Sequence, residues 1–575
     1  MILNTIVSVF NKTNLKPFGK FLLKNNVKIH SSGGTFKTLR ELNPQKYNHN
    51  NIVEISALTQ SPEMLNGRVK TLHPTIHGGI LAKNIPEHME ELQKYNIPSF
   101  DLVVVNLYPF QQTVQKKDAT DDDIIENIDI GGHTLIRSAA KNYQRVLTIV
   151  DPDDYQFVMD NFNNITLDMR KKFAAKAFKH AAQYDIDINS YFNPDTITRQ
   201  YTKEYNLKYG LNPQQKIAGV YRNLEQDKLP FKVLNGNPGY INFLDAIYSY
   251  ALVNELKQVL NQTACASFKH TSPAGVGLSE PLTPILEKAY MVNDLILTPQ
   301  ATAYIRARNA DPLCSFGDFV ALNDRVDVCM AKLLAKHVSD GIVATGYEPE
   351  ALEILKKKKK GAYVILEAYD TNQPDLEIRE LHGMTLIQEK NKKQTELFHS
   401  FTNIVTENKD LPYKIMMDLI LANTTTKYTQ SNTIVAVHNG QVIAVGAGQQ
   451  SRIDCMKLVK QKVTNWYMRQ HLKTFDFMDN LMNMTHQEKV NAIASYIEYY
   501  MSDYRGSFMK TLSGVSVASD AFFPFNDNIE VASEFGCQYL IQPGGSIADK
   551  EIIDTCDKYG MLMCMTGADM RLFLH

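Results

Sequence analysis

Up to about residue 190, short apolar runs alternate with stretches whose apolar residues recur every three or four positions. That alternation predicts a parallel sheet flanked by helices. The clearest strands are residues 102–107 and 146–150, both rich in Val, Leu and Ile and both followed by Pro or Asp turn chemistry. Such runs suit strands buried on both faces. Between them, Leu135, Ile136, Ala139 and Ala140 predict a helix over 134–142 behind Gly131-Gly132, and a Gly-Gly step opening a helix leaves backbone amides for a ligand. Residues 1–10 are apolar, with no basic leader and no small-residue cleavage site, and read as a first buried strand.

Periodicity is lost over 191–205, where Asn193-Pro194-Asp195 acts as a breaker. A chain of 575 residues exceeds what one core supports, so two domains are expected, 1–195 and 196–575. The second again mixes strands and helices. Residues 434–437 and 441–445 flank His438-Asn439-Gly440, and Asn-Gly between apolar runs signals a hairpin. The five lysines Lys356-Lys357-Lys358-Lys359-Lys360 read as a solvated helix end or loop, because no aromatic or further basic cluster surrounds them. Residues 457–512, with Trp466 and many Met and Tyr, read as helical core packing.

Charge narrows the function. Sixty-one Lys plus Arg balance sixty-two Asp plus Glu, so no global field steers the chain to nucleic acid or an anionic membrane. An anionic ligand must be held by local clusters. Seven cysteines, odd in number and without a Cys-x-x-Cys pair, argue against a disulfide framework and a cysteine-rich zinc site and fit a reducing compartment. No apolar stretch reaches the roughly 18 residues of a membrane span. The expectation is a cytosolic enzyme.

Three segments of the first domain share the theme of capturing a phosphorylated ligand. Ser31-Ser32-Gly33-Gly34-Thr35 follows an apolar strand and opens a helix, offering amides and hydroxyls to an anion; alone it reads more readily as a simple helix cap. Gly67-Arg68-Val69-Lys70-Thr71-Leu72-His73-Pro74 packs two cations, a hydroxyl and an imidazole into one bounded loop, a mixture that a solvated face seldom carries. Asn106-Leu107-Tyr108-Pro109-Phe110 ends a strand where doubly wound sheets bind ligands, although Tyr108 alone could simply close that strand. Asp129 and Lys141 stand at opposite ends of one helix.

Together with Pro62-Glu63-Met64 and Ile128-Asp129-Ile130-Gly131-Gly132, these segments resemble the cyclohydrolase domain of the bifunctional purine-biosynthesis (AICAR transformylase and IMP cyclohydrolase) family. The resemblance implies a methylglyoxal-synthase-like α/β fold that closes the second purine ring to give inosine monophosphate. It places Lys70, Tyr108, Asp129 and Lys141 around the closing ring, and Lys12, Ser32, Gly33, Gly34, Thr35, Arg68, Thr71, Asn106, Gly131 and Gly132 on the nucleotide. Lys70 would polarise the formyl oxygen, with Asp129 and Lys141 orienting the amide and relaying its proton. One departure is Ser8-Val9-Phe10-Asn11-Lys12, where the family usually has Ser-Val-Ser-Asp-Lys.

The second domain carries Ser267-Phe268-Lys269-His270-Thr271-Ser272 at the end of an apolar run. Neighbours on a strand face opposite ways, so either a loop conformation lets both Lys269 and His270 reach one ligand, or a surface lysine adjoins a core histidine. Polar insertions at 315–319, 338–341 and 427–432, and the 446–452 loop, end other apolar runs. These segments resemble the transformylase domain of the same family, implying a duplicated cytidine-deaminase-like α/β fold without catalytic metal; the Pro-Cys-x-x-Cys segment of zinc deaminases is missing. The resemblance further implies formyl transfer from 10-formyltetrahydrofolate, as cosubstrate, to the 5-amino group of aminoimidazole carboxamide ribonucleotide, in a homodimer whose transformylase sites lie at the interface. His270 would take the amine proton, Lys269 would stabilise the oxyanion and Asn432 would hold the formyl oxygen. Lys208, Tyr209, Asn242, Gly317, Asp340, Arg571 and Phe573 would line the nucleotide, and Arg452, Pro524, Phe525, Asp527 and Asn528 the folate.

Three departures temper the match. Lys208 stands where the family has an arginine, and cannot fork two bonds to phosphate. Gln214 replaces a histidine, and two extra residues precede Arg571. Two other readings stand beside the two-step enzyme: a cyclohydrolase with an impaired transformylase domain, and a non-catalytic nucleotide-binding module.

Overall fold

Alternating side chains of the apolar runs are sorted to opposite faces of a five-stranded parallel sheet: β1 (Asn4–Val9), β2 (Lys28–Ser31), β3 (Ile52–Glu54), β4 (Leu102–Asn106) and β5 (Leu147–Ile149), ordered β3-β2-β1-β4-β5. Val7, Leu102 and Val104 pack into one core layer, and Ile6, Val103 and Val105 into the other. The four apolar residues Leu102, Val103, Val104 and Val105 are at most 1% exposed, as a run covered on both faces requires. Chain order reverses between β1 and β4, so a crevice opens at their carboxyl ends. The helix expected over 134–142 begins earlier, at Ile130, and runs Ile130–Lys141.

The computed structural model describes residues 2–61, 64–369, 374–392, 401 and 403–575, apart from the side chain of Asn66. Pro62 and Glu63 of the quoted motif lie outside the described residues. Two units divide the chain, Met1–Arg199 and Gln200–His575.

In the second unit, β6 (Tyr201–Asn206) and β7 (Gly219–Asn223) form a separate ribbon, as do β14 (Leu376–Leu381) and β15 (Met384–Glu389). The main sheet has eleven strands: β8 (Phe231–Asn235), β9 (Ala264–Lys269), β10 (Ser272–Leu278), β11 (Asp318–Val326), β12 (Ser339–Tyr347), β13 (Val364–Ala368), β16 (Ile434–His438), β17 (Gln441–Gly446), β18 (Val515–Ser519), β19 (Cys537–Gln542) and β20 (Leu562–Met565). Their order is β20-β19-β18-β16-β17-β10-β9-β11-β12-β13-β8. A duplication is legible in it. The set β10-β9-β11-β12-β13 and the set β17-β16-β18-β19-β20 share order and strand sense, a hairpin followed by parallel strands.

The sheet is continuous between the two halves through the β10–β17 register pair Gly277↔Gln441. A Cβ on Gly277 would stand 2.4 Å from the Cβ of Arg306, so the helix Pro299–Ala310 rests directly on the β10 backbone. Across this seam Trp466 donates to Tyr290 Oη (2.8 Å), which donates to Gln441 Oε1 (2.8 Å), while Gln441 Nε2 donates to the Arg306 carbonyl (2.7 Å). The hydrogen-bonding needs of these buried groups are thus met across the junction.

The 457–512 stretch is helical. Met468, Leu481, Ile493, Ile497 and Met501 make a small core of their own there. The lysine run ends the helix Pro349–Lys356 with Lys357, Lys359 and Lys360 exposed, as its solvated reading expects, and Lys358 is the exception. Lys358 donates to the His337 carbonyl and lies over the Tyr363 ring, and burial pushes its ammonium down to about 8. Lys359 pairs with Asp340 at 2.5 Å, with φ +51° in its own backbone. No helix among the described residues is long and apolar enough to cross a membrane.

Candidate active sites

At the β1–β4 crevice the structure encloses a cavity of about 670 Å³. Lys12, Ser32, Gly33, Gly34, Thr35, Arg68, Lys70, Thr71, Asn106, Tyr108, Asp129, Gly131 and Gly132 all line it. One end is cationic. The Lys70 ammonium lies 3.3 Å from where a Cβ on Gly33 would stand, and the Lys12 ammonium 3.5 Å from that of Gly34. Gly33 has φ +55°, a conformation that favours glycine. The helix Gly33–Arg40 starts there, and its N-cap Ser32 makes no capping bond with its side chain. Two ammonium groups at a helix start, with a close backbone and an uncommitted hydroxyl, form an anion cradle.

The other end carries titratable groups. Tyr108 projects from the end of β4, with the Phe10 ring edge-on at 5.7 Å; the departure at Phe10 thus replaces a hydroxyl with an aromatic wall. Burial, then the Asp129 and Glu126 charges, raise the Tyr108 hydroxyl above its ordinary pKa. Burial likewise raises Asp129, against the lowering pull of the Gly132 amide, which donates to Asp129 Oδ1 at 2.7 Å. The Gly131-Gly132 step therefore does not leave both amides to a ligand. Tyr184, absent from the sequence reading, fixes this loop: its hydroxyl accepts the Asp129 N–H and donates to the Asn127 carbonyl, each at 2.8 Å. Glu126, also missed, lines the cavity and pairs with Arg68. No local motif marks either residue; Glu126 was detectable only as an acid near the Asp129 turn.

Several expected contacts turn out to be scaffolding. Thr35 Oγ1 donates to the Val9 carbonyl (2.9 Å) and accepts the Val9 N–H (3.1 Å), tying the helix start to β1. Asn106 Oδ1 accepts the N–H groups of Phe10 (2.7 Å) and Asn11 (2.8 Å), shaping the loop that carries Lys12. Lys141 is not brought to the cavity. It is exposed at the far end of the twelve-residue helix Ile130–Lys141, and twelve positions at 1.5 Å each put it on the order of 18 Å from Asp129.

In the second unit, sheet topology brings the expected residues to one edge. Lys269 ends β9, Gly317 precedes β11, Asp340 opens β12, Asn432 precedes β16, Arg452 follows β17, and 524–528 follow β18. His270 and Thr271 form a two-residue turn between β9 and β10, with Lys269 paired to Ser272. Both members of the Lys269-His270 pair thus reach the surface at the sheet's edge: Lys269 donates to the Phe316 carbonyl (2.8 Å) and His270 is exposed. Beneath them Asp318 is fully buried, accepting from Arg308 (2.9 Å) and Ser267 (2.6 Å). Buried Asp245, which the sequence reading missed, accepts the Thr271 N–H at 2.7 Å, and burial pushes its carboxyl up to about 6.

Asn432 and Arg452 form a second group. Arg452 Nη2 donates to Asn432 Oδ1 (3.0 Å), and Nη1 to Ser519 Oγ (2.8 Å) and to the Asp520 carboxylate. Asn432 precedes β16, three positions from β9, about 14 Å at ordinary strand spacing, and β17, which Arg452 follows, is two positions away. Lys208 and Tyr209 follow β6, outside the main sheet. Three of the expected residues have partners within the chain. Asp340 is already paired with Lys359. Asn242 Oδ1 is used to cap its own helix at the Gly239 N–H (2.9 Å). Asn528 is 0% exposed and turned to Asp527, so it underlies the surface on which Phe525 is 65% exposed. Arg571 lies over the Phe522 ring, and the tail that carries it and Phe573 bonds back to Ser431 through Leu574.

The family described as AICARFT/IMPCHase bienzyme matches residues 139–462, and an MGS-like domain matches residues 14–134. A Bifunctional purine biosynthesis protein PurH from Halalkalibacterium halodurans is 35% identical over 585 residues, covering 99% of both chains. The protein of the same name from Aquifex aeolicus is 35% identical over 587 residues, covering 100% of both. A crystal structure of ForH is 30% identical, covering 34% of this chain and all of its own, with a TM-score of 0.30. With a match over more than half its length and full-length relatives above 30% identity, the chain belongs to the AICARFT/IMPCHase bienzyme family.

Proposed function

We propose that this protein catalyses two consecutive steps: formyl transfer from 10-formyltetrahydrofolate to the amine of aminoimidazole carboxamide ribonucleotide, then dehydrative closure to inosine monophosphate. The relatives named for both activities align with both units, which disfavours a cyclohydrolase with a disabled partner domain. The observation that carries the reading is the N-terminal cavity, where two ammonium groups converge at Gly33-Gly34 while Tyr108 and Asp129 stand at the opposite end.

In transfer, the amine nitrogen bonds to the formyl carbon and the bond from that carbon to the folate nitrogen breaks. His270 takes the amine proton, a proton is delivered to the departing folate nitrogen, and Lys269 and Asn432 steady the oxyanion. In closure, the carboxamide nitrogen attacks the same formyl carbon and its oxygen leaves as water. Both groups already sit on one ring, so positioning supplies much of the rate. Lys70 polarises the formyl oxygen, and Asp129 and Tyr108 manage the protons.

The transformylase site is shared between two copies of the chain. Support comes from the separation along one sheet edge of the Lys269-His270 turn from the Asn432–Arg452 group. The protein works in the cytosol on free nucleotide and folate. Purified enzyme given both substrates should release tetrahydrofolate and form inosine monophosphate. Closure of supplied formylated nucleotide without any tetrahydrofolate release would reduce the activity to the second step.

A further inference from the structure

The turn that presents His270 is built from residues that do not favour it. Its two positions have φ +53° at His270 and +61° at Thr271. Two-residue turns with positive φ at both positions select Asn-Gly, and a β-branched threonine there is strained. The duplicated half shows the relaxed form of the same hairpin. Between β16 and β17 the turn is Asn439-Gly440, with φ +51° and +75°.

Both halves hold the turn with the same device. Asp418, sixth residue of the helix Tyr413–Lys427, accepts the N–H groups of Asn439 (2.8 Å) and Gly440 (2.7 Å). Asp245, sixth residue of the helix Tyr240–Leu260, accepts the Thr271 N–H (2.7 Å). Asp245 is 6% exposed, and its charge is faced by His270 on the turn, Asp318 on β11 and Asp340 on β12. The second half has the aspartate and turn residues that need little holding; the first has the aspartate and turn residues that resist.

We propose that Asp245 is a positioning residue for formyl transfer, whose carboxylate, by binding the Thr271 amide, keeps the turn left-handed and the His270 imidazole at the sheet edge. It touches neither substrate nor folate and acts through His270. The inference rests on the reading of His270 as the base, so its test includes a readout that needs no activity.

Four variants of the full chain decide it: Asp245→Ala, Asp245→Asn, Thr271→Gly, and Asp245→Ala combined with Thr271→Gly. Asp245→Ala should lower kcat for formyl transfer by about 10- to 100-fold, with the nucleotide KM changed less than about threefold and ring closure of supplied formylated nucleotide retained. Asp245→Asn keeps an acceptor oxygen and should recover most of that loss. So should the double variant, because glycine adopts positive φ without a hold. Amide hydrogen exchange across 264–278 should speed up in Asp245→Ala and return toward the unaltered rate in Asp245→Asn. Unchanged kcat and unchanged exchange in Asp245→Ala overturn the proposal. Equal losses in the Asn and Ala variants with no rescue by Thr271→Gly also overturn it. If the unaltered enzyme releases no tetrahydrofolate, the assignment of the base fails instead, and the exchange data still decide whether Asp245 holds the turn.

Discussion

Replacing Arg452 by lysine separates two tasks that the guanidinium performs at once. One arm meets Ser519 and the Asp520 carboxylate, and the other reaches Asn432 Oδ1 at 3.0 Å. Asp520 is 0% exposed, and leaving a buried carboxylate unpaired costs about 3–5 kcal/mol. Lysine keeps a charge against it and avoids that cost, but a single ammonium cannot span both partners. What is lost is the bond that aims the Asn432 amide, a hydrogen bond to a charged group worth about 1.5–3 kcal/mol. If Asn432 holds the formyl oxygen in the transition state, Arg452→Lys should lower kcat for formyl transfer by roughly 10- to 150-fold. Tetrahydrofolate release read by absorbance gives that rate, ring closure of supplied formylated nucleotide is the internal control, and the urea midpoint should move little. Arg452→Ala should lose transfer and stability together. Transfer at the normal rate in Arg452→Lys, or an equal fall in ring closure, would refute the reasoning.

Gly33→Ala places a methyl group 3.3 Å from the Lys70 ammonium in a backbone of φ +55°, a strain of about 1–2 kcal/mol. The KM for ring closure should rise about tenfold with transfer unaffected, and an unchanged KM would move the phosphate elsewhere. If the transformylase site is shared, Lys269→Ala and Asn432→Ala proteins mixed one to one should regain about a quarter of normal transfer as mixed dimers form; activity that stays at the sum of the two variants would place both groups in one copy's site. Burial raises the Asp418 carboxyl to about 6, so between about pH 4 and 6 the folded state holds a proton that the unfolded state has released. Its stabilisation is present below the unfolded pKa and lost as pH rises through 6, by about 3 kcal/mol. Asp418→Asn should therefore flatten the pH dependence of the second unit's urea midpoint across this window, whereas curves parallel to the unaltered protein's would contradict the assignment.

The sheet edges were legible because apolar runs and turn residues announce strand ends. Residues 102–107 and the Asn439-Gly440 hairpin needed only local rules, and the quoted motifs fell at carboxyl ends or hairpin tips. Spacing on a helix was harder. Asp129 and Lys141 are twelve positions apart, and only the rigid rise of the intervening helix separates them in space. Thr35 and Asn106 line the expected cavity, but their ties to the β1 end were not legible, because a hydroxyl or amide that joins two backbones reads like one that waits for a ligand. Tyr184 and Asp245 sit inside long helices without any motif. Asp245 had one signal, its offset from Tyr240 repeated by Asp418 from Tyr413, which becomes visible only when the second unit is compared with itself. Within the lysine run only Lys358 was unforeseen, because a charge string gives no sign that one member folds back onto a carbonyl and a ring.

The seam at Gly277 and Gln441 has a mechanical consequence. One backbone register pair joins β10 to β17, and the junction is held further by the Trp466–Tyr290–Gln441 relay and by Glu255, which accepts from Lys427 and Tyr428 of the other half. Any side chain added at Gly277 would meet Arg306, Ala303 and Ala307 and lift the helix Pro299–Ala310 from β10, and with it the Arg306 carbonyl that Gln441 of the other half binds. The seating of that helix at the junction is thus entrusted to a position with no reactive atom at all.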